Sequence, residues 1–275
     1  MLYIHQTWRD EQIPEVWQAT QATCQRVSGS VYKLWTDSEV KQYLKDHCIE
    51  TEFTFISGLR MIQMVDIWRV LLLATYGEPG DINVYIDLDV GLVQSLHTIV
   101  GLLQSSTATL LVPQTRNTLV GEGCASNFIL MGKRCETALL LWHAYMHNCK
   151  TSHRWYYFNL THFKVLHTGP FAVQALLKQY RAHIYLLPHE LVNNQYVWMT
   201  PCTVAQVKSN WPNQVFFHAH GESWCSRDTS ILNKSLKFGV CTKALYWLPQ
   251  LVVMVILGCI LIRRQICRSG NLITI

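Results

Sequence analysis

The sequence predicts an α/β fold followed by a C-terminal membrane span, and three observations predict it. Short apolar stretches with strand character alternate with helical ones along residues 2–218, the order that builds a sheet covered by helices. One of them, Asn83 to Val90, is apolar along one face and carries Asp87 and Asp89 at its end. Ala244 to Ile262 reads ALYWLPQLVVMVILGCILI, with Gln250 as its only strongly polar residue, and Arg263, Arg264 and Arg268 follow. A run of that length crosses a bilayer and the arginines suit its headgroups, although Pro249 and Gln250 leave a buried core helix as the alternative. The predicted organisation is a soluble domain over 1–240, the span over 244–262 and a short basic tail over 263–275.

Taken in order, Leu2 to His5 is a first short strand, breaking into a polar loop of Gln6, Thr7, Trp8 and Arg9. Where sheet strands run parallel, such a loop lies at the carboxyl edge where ligands bind. Trp8 is there either to stack on a nucleobase or as ordinary packing. Val31 to Trp35 has strand character, and Thr36 and Glu39 form a capping box that opens a helix through Val40, Tyr43 and Leu44. Ser57 to Tyr76 reads as one long helix with Gly77 placed to end it. On it Asp66 and Arg69, three apart, share a face. Glu78 to Asp81 is a turn, leading into the strand of Asp87 and Asp89. Leu110 to Pro113, Ser126 to Leu130 and Val215 to His218 are further strands; Glu136 to Asn148 is a helix, and Gly169-Pro170 starts another.

Side chains alternate along a strand, so Tyr85, Asp87 and Asp89 fall on one face and Val84, Ile86, Leu88 and Val90 on the other. Two carboxylates on one face are costly to bury without a positive partner, and no Lys or Arg occurs from residue 70 to residue 115. A divalent cation is the natural partner. Paired carboxylates suit Mg²⁺ or Mn²⁺, with positions left open for substrate phosphates, which is the chemistry of a nucleotide-sugar transferase.

Composition narrows the class. The chain has 275 residues, 49% of them hydrophobic and 15% charged, and a net charge of +5. Its basic residues are scattered rather than gathered with aromatics, which argues against nucleic acid as a partner. Met1 to Arg9 is too short and polar for a signal peptide. Ten cysteines, eight before the span, and the sequons Asn159-Leu160-Thr161 and Asn233-Lys234-Ser235 point to a secretory lumen. A lone C-terminal anchor without a leading signal would instead leave residues 1–243 in the cytosol, so the orientation stays open. The absence of any Cys-x-x-Cys pair argues against structural zinc.

Six segments carry a resemblance: Ile4-His5-Gln6-Thr7-Trp8, Leu34-Trp35-Thr36-Asp37, Asp66-Ile67-Trp68-Arg69, Tyr85-Ile86-Asp87-Leu88-Asp89-Val90, Thr168-Gly169-Pro170 and His220-Gly221-Glu222-Ser223-Trp224. In order and approximate spacing they resemble the DXD-motif glycosyltransferases, which include initiating α-1,6-mannosyltransferases and inositol-phosphoceramide mannosyltransferases, with the clostridial glucosylating toxins as distant relatives. The likeness covers residues 2–228, and a span soon after the Ser-Trp motif is most similar to the inositol-phosphoceramide branch.

The resemblance implies a Rossmann-like GT-A fold and retaining, Mn²⁺- or Mg²⁺-dependent transfer of a hexose. The favoured donor is GDP-mannose, and the acceptor is a membrane-associated glycolipid or glycan, inositol phosphoceramide being one. It implies a single-pass membrane protein of the Golgi or another endomembrane. Carried over by position, Asp87 contacts the donor sugar or ribose and Asp89 ligates the metal. Asp66 and Arg69 hold sugar hydroxyls and phosphate, and His5 to Trp8, Gln6 included, hold the base. His220 or His218 completes the metal or diphosphate site, Ser223 and Trp224 close over the β-phosphate, and Asn127 is a candidate for the substrate pocket. Two departures stand out. Glu78 to Asn83 replaces the family's short Gly-Gly turn, an insertion expected beside the site, and Cys225 stands where the sphingolipid branch tends to have His. Two alternatives remain: a non-catalytic membrane-bound partner of the same fold, and a haloacid-dehalogenase-type phosphohydrolase with Asp87 as nucleophile, for which no adjacent acidic pair follows Asp89.

Overall fold

The first strand, β1 (Leu2–Trp8), runs between β2 (Ser30–Thr36) and β3 (Ile82–Ile86) and is parallel to both. The computed structural model describes residues 1–117, 121–125, 128–151, 167–192, 209 and 212–218, all within the compact unit Met1–Trp224. The second unit, Cys225–Ile275, lies outside the described residues, and with it the expected span 244–262 and tail 263–275. Among the described residues no helix is long and apolar enough to cross a membrane.

Beyond the parallel trio the chain adds β4 (Val90–Leu92), β5 (Leu110–Asn117), β6 (Gly121–Ala125), β7 (Ile129–Lys133), β8 (Ile184–Leu187) and β9 (Phe216–His218). The main sheet is mixed, in the order β2-β1-β3-β7-β5-β6, with β8 alongside β5. β7 is antiparallel to β3 and to β5, β6 is antiparallel to β5, and β8 is parallel to β5. β4 and β9 form a separate antiparallel pair. The helices are α1 (Glu15–Gln25), α2 (Asp37–His47), α3 (Glu50–Ser57), α4 (Met61–Thr75), α5 (His97–Ser105), α6 (Glu136–Thr151), α7 (Pro170–Gln179) and the short α8 (His189–Val192).

The central strands bury both faces. Val84 and Ile86 join one apolar cluster with Leu96, Ile99 and Leu103, while Tyr85 and Leu130 join the other with Trp68, Leu72 and Trp142. α4 is the helix on which the second cluster is built: Val65 through Ala74 are all buried. Its approach to β7 depends on Gly132, where an added Cβ would stand 2.9 Å from the Leu73 Cβ.

Several local expectations hold. The Thr36–Glu39 capping box opens α2, with Glu39 N–H donating to Thr36 Oγ1 at 3.3 Å and Thr36 N–H to Glu39 Oε2 at 2.8 Å. Pro170 sits in the first turn of α7, and Gly77, at φ +78°, follows the end of α4.

Four expectations are corrected. β1 does not break after His5 but continues through Trp8, pairing Thr7 with Trp35 and Trp8 with Thr36. Its polar side chains stay in the strand because they find partners: Gln6 with Tyr32 at 3.1 Å and Thr7 with the Tyr85 hydroxyl at 3.1 Å. The long helix expected from Ser57 divides at Gly58, and α4 begins at Met61, where the Gln63 side chain accepts the Arg60 N–H at 3.4 Å. The strand expected over Asn83 to Val90 ends at Ile86; Asp87, Leu88 and Asp89 make a tight turn closed by Val90 N–H to Asp87 O at 2.9 Å. The insertion Glu78 to Asn83 makes the turn Glu78 to Asp81 and the first two residues of β3, at the opposite end of the strand from Asp87. The turn is closed by Asp81 N–H to Glu78 O at 3.0 Å and tied to Arg134 by two backbone bonds. At about 3.3 Å per residue the length of β3 separates this turn from the carboxylates, so it is not beside them.

Candidate active site

Parallel strands present their carboxyl ends at one edge of a sheet, and at that edge the end of β3 meets the buried face of α4. Arg69 joins them. Its Nη2 lies 3.1 Å from Asp66 Oδ1 on the same helix and its Nη1 3.4 Å from Asp87 Oδ1 at the strand end. Asp66 and Arg69 are each 2% exposed, so this is a desolvated network rather than a surface pair of small value. Tyr85 completes it: its hydroxyl donates to Asp87 Oδ1 at 2.7 Å and its ring lies 4.4 Å from the Arg69 guanidinium. Burial works against the Arg69 charge, but Tyr85, Asp87 and Asp66 around it outweigh that and hold its pKa above the usual value. Burial likewise drives the Tyr85 pKa well up, so its phenol stays a donor. The positive partner missing from residues 70–115 is therefore Arg69, one residue outside that window and brought to Asp87 by the helix–sheet packing.

Asp66 is held from a third direction. Thr168 Oγ1 donates to Asp66 Oδ2 at 3.1 Å, and the Tyr145 hydroxyl bonds Asp66 O at 3.1 Å and also Thr168 O. The Thr168-Gly169-Pro170 segment thus meets Asp66 across 102 residues of sequence.

Asp87 and Asp89 are half-buried at their turn. The pairing of β4 with β9 sets His218 opposite Val90, bringing its backbone beside Asp89. The side chain of His218, and all of His220, Ser223, Trp224 and Asn127, lie outside the described residues. Among the described residues no group of three or more His, Cys, Asp or Glu side chains gathers as a metal site. Two half-exposed carboxylates of one turn nevertheless offer hard oxygen donors that fit Mg²⁺ or Mn²⁺, with His218 and His220 as candidates to extend the set.

The first strand supplies support from beneath. His5 is fully buried; its Nδ1 accepts the Trp35 indole N–H at 3.1 Å, which leaves Nε2–H to donate to Asn83 Oδ1 at 3.1 Å. Burial lowers its pKa to about 4, so it is a neutral imidazole locked in the core, without the exposed edge needed to touch a base. Gln6, equally buried, donates through Nε2 to Asp87 O at 3.3 Å. Trp8 is half-buried at the end of the strand with Arg9 over its ring, and its indole N–H has no hydrogen-bond partner among the described residues. The sequence reading missed Tyr85 and Tyr145 as site residues. Strand alternation already placed Tyr85 beside Asp87, whereas Tyr145 carries no sequence signal.

No protein-family model matches this chain. Inositol phosphoceramide mannosyltransferase 1 of Schizosaccharomyces pombe is 30% identical over 233 residues, 83% of this chain and 63% of the relative. Mannosyl phosphorylinositol ceramide synthase SUR1 of Saccharomyces cerevisiae is 34% identical over 94 residues, 34% of this chain and 23% of the relative. The chain spans less than two thirds of the length of these relatives. Among solved structures, a glycosyltransferase involved in glycosylation of the major capsid of PBCV-1 aligns over 80% of this chain and 94% of its own, with TM-score 0.46 and 9% identity. The galactosyltransferase LgtC aligns over 88% and 96%, with TM-score 0.37 and 10% identity. These structural likenesses are weak, and the sequence relatives are the stronger likeness. The chain's curated homologues are inositol phosphoceramide mannosyltransferases.

Proposed function

We propose that this protein is a retaining, metal-dependent hexosyltransferase of GT-A type. It takes mannose from GDP-mannose and places it on a membrane-associated acceptor, inositol phosphoceramide being the acceptor its relatives' names favour. The observation that carries this reading is the Asp87–Arg69–Asp66 network at the carboxyl end of β3 in a chain whose curated relatives are mannosyltransferases. Those relatives support sugar transfer rather than phosphate-ester hydrolysis.

In this reading Asp89, with Asp87 and one or both of His218 and His220, holds Mn²⁺ or Mg²⁺. When bound, the metal neutralises charge on the departing diphosphate, so departure of that group needs no protein acid. Arg69 keeps Asp87 aimed at the donor sugar, Asp66, itself held by Thr168, fixes Arg69 in turn, and Tyr85 donates to the same Asp87 oxygen that Arg69 meets. Trp8 lines the base, while Ser223 and Trp224 cover the phosphates and Asn127 meets the substrate. Residues 244–262 anchor the domain on an endomembrane such as the Golgi, close to a lipid acceptor.

The test is donor hydrolysis and transfer by the full chain purified in detergent, comparing GDP-mannose, UDP-galactose and UDP-glucose with Mn²⁺ and with a chelator, with and without inositol phosphoceramide. Mannosyl transfer that the chelator abolishes is expected. Nucleotide binding without cleavage of any donor, acceptor present, would overturn the enzymatic reading in favour of a non-catalytic partner.

A further inference from the structure

The turn that carries Asp87 and Asp89 is gripped by α1, a helix whose few apolar residues give it no clear pattern in the sequence. Three side chains on one face of this helix, Thr20, Thr23 and Cys24, meet three consecutive stretches of the turn and β4. Thr20 Oγ1 lies 2.7 Å from Leu88 O, its proton shared with Trp17 O at 2.8 Å. Thr23 Oγ1 accepts the Leu92 N–H at 2.8 Å while donating to Thr20 O at 2.6 Å. Cys24 Sγ stands 3.9 Å from Val90 O. Thr20 is 5% exposed and Cys24 fully buried. The helix lies so close to β4 that a Cβ on Gly91 would stand 3.3 Å from Thr20 Cγ2 and 3.4 Å from Thr23 Oγ1, a contact that glycine leaves open. From the other side Gln6 Nε2 reaches Asp87 O. The carbonyls of Asp87 and Leu88, the two peptide groups between the acidic residues, are thus each met by a buried side-chain donor.

We propose that Thr20, with Gln6 opposite, is a positioning residue of the site: by holding Leu88 O it fixes the peptide that aims the Asp89 carboxylate. The proposal rests on the reading of Asp89 as a metal ligand. A carboxylate on a two-residue turn swings with its backbone, and groups that orient a ligand are as much part of a metal site as the ligand itself. The hydroxyl of Thr20 bonds Leu88 O while its methyl faces the space left open beside Gly91, so substitution distinguishes positioning from packing. Thr20→Val keeps the shape and removes the donor; Thr20→Ser keeps the donor and removes the methyl.

Both variants of the full chain are compared with wild type in two measurements: Mn²⁺ binding, read from free Mn²⁺ by electron paramagnetic resonance, and hydrogen exchange at the Val90 amide, whose bond to Asp87 O closes the turn. Thr20→Val is expected to weaken Mn²⁺ binding on the order of tenfold and to speed exchange at Val90, with Thr20→Ser close to wild type in both. Wild-type behaviour of Thr20→Val, or a Thr20→Ser defect as large, overturns the proposal. If wild type itself binds no Mn²⁺ the metal reading fails, and exchange still decides the positioning role: no faster exchange at Val90 in Thr20→Val than in Thr20→Ser refutes it.

Discussion

Arg69 stands between Asp66 and Asp87, 3.1 Å from the first and 3.4 Å from the second, so that one guanidinium locks a helix to the end of a strand. A planar fork holds two carboxylates in fixed directions, whereas an ammonium is a compact point charge on a flexible stem and fixes neither direction. Arg69→Lys is expected to fold but to lose more than about tenfold in kcat, because Asp87 is no longer aimed. Arg69→Ala leaves the buried Asp66 carboxylate and the half-buried Asp87 carboxylate without the guanidinium between them and is expected to cost about 3–5 kcal/mol. Urea unfolding alongside donor hydrolysis checks both; full activity in Arg69→Lys would remove the network from the mechanism.

Tyr85→Phe removes a 2.7 Å hydrogen bond to Asp87 but keeps the ring beneath Arg69. A hydrogen bond to a charged group is worth about 1.5–3 kcal/mol, so the expected result is a measurable drop in melting temperature together with slower transfer. A drop in stability with kcat unchanged would confine Tyr85 to structure.

Asp89→Ala is expected to abolish chelator-sensitive activity while leaving the circular dichroism spectrum and melting curve near wild type, since the side chain is half-exposed and lies in a turn. A variant that retained full metal-dependent turnover would sink the assignment of Asp89.

His5 makes stability depend on pH. Its folded pKa is lowered from 6.5 to about 4, chiefly by burial. The unfolded chain therefore takes the proton first as pH falls, and the stability present above pH 6.5 is lost progressively down to pH 4. At 1.36 kcal/mol per unit the loss is about 3 kcal/mol. Urea titrations at the two ends of that window should show a smaller loss in His5→Gln than in wild type; equal losses would assign the effect to other groups.

Gly132→Ala places a Cβ 2.9 Å from Leu73 Cβ. Backbone-anchored atoms on both sides cannot rotate away, so α4 must shift, at about 1–3 kcal/mol. Because α4 carries Asp66 and Arg69, activity is expected to fall with stability, and a kcat unchanged at reduced stability would show the site tolerates that shift.

Much of the frame was legible because its signals are local. The capping box of Thr36 and Glu39, Pro170 at the start of α7 and Gly77 after α4 are each written within a few residues, and hydrogen bonding at that range does not depend on the rest of the chain. Spacing alone also put Asp66 and Arg69 on one helix face and Tyr85 beside Asp87. What the sequence determined by itself was therefore the strand–helix alternation, the acidic strand end and the kinship with mannosyltransferases. The tertiary structure decided where the partners are. Gln6 stays in β1 because Tyr32 and Asp87 O satisfy it, Asp87 is met by Arg69 from another element, Asp66 by Thr168, and the Asp87–Asp89 turn by Thr20. The physical reason is that a buried polar group must be paired, while the identity of its partner depends on which elements pack together, and no local pattern encodes that.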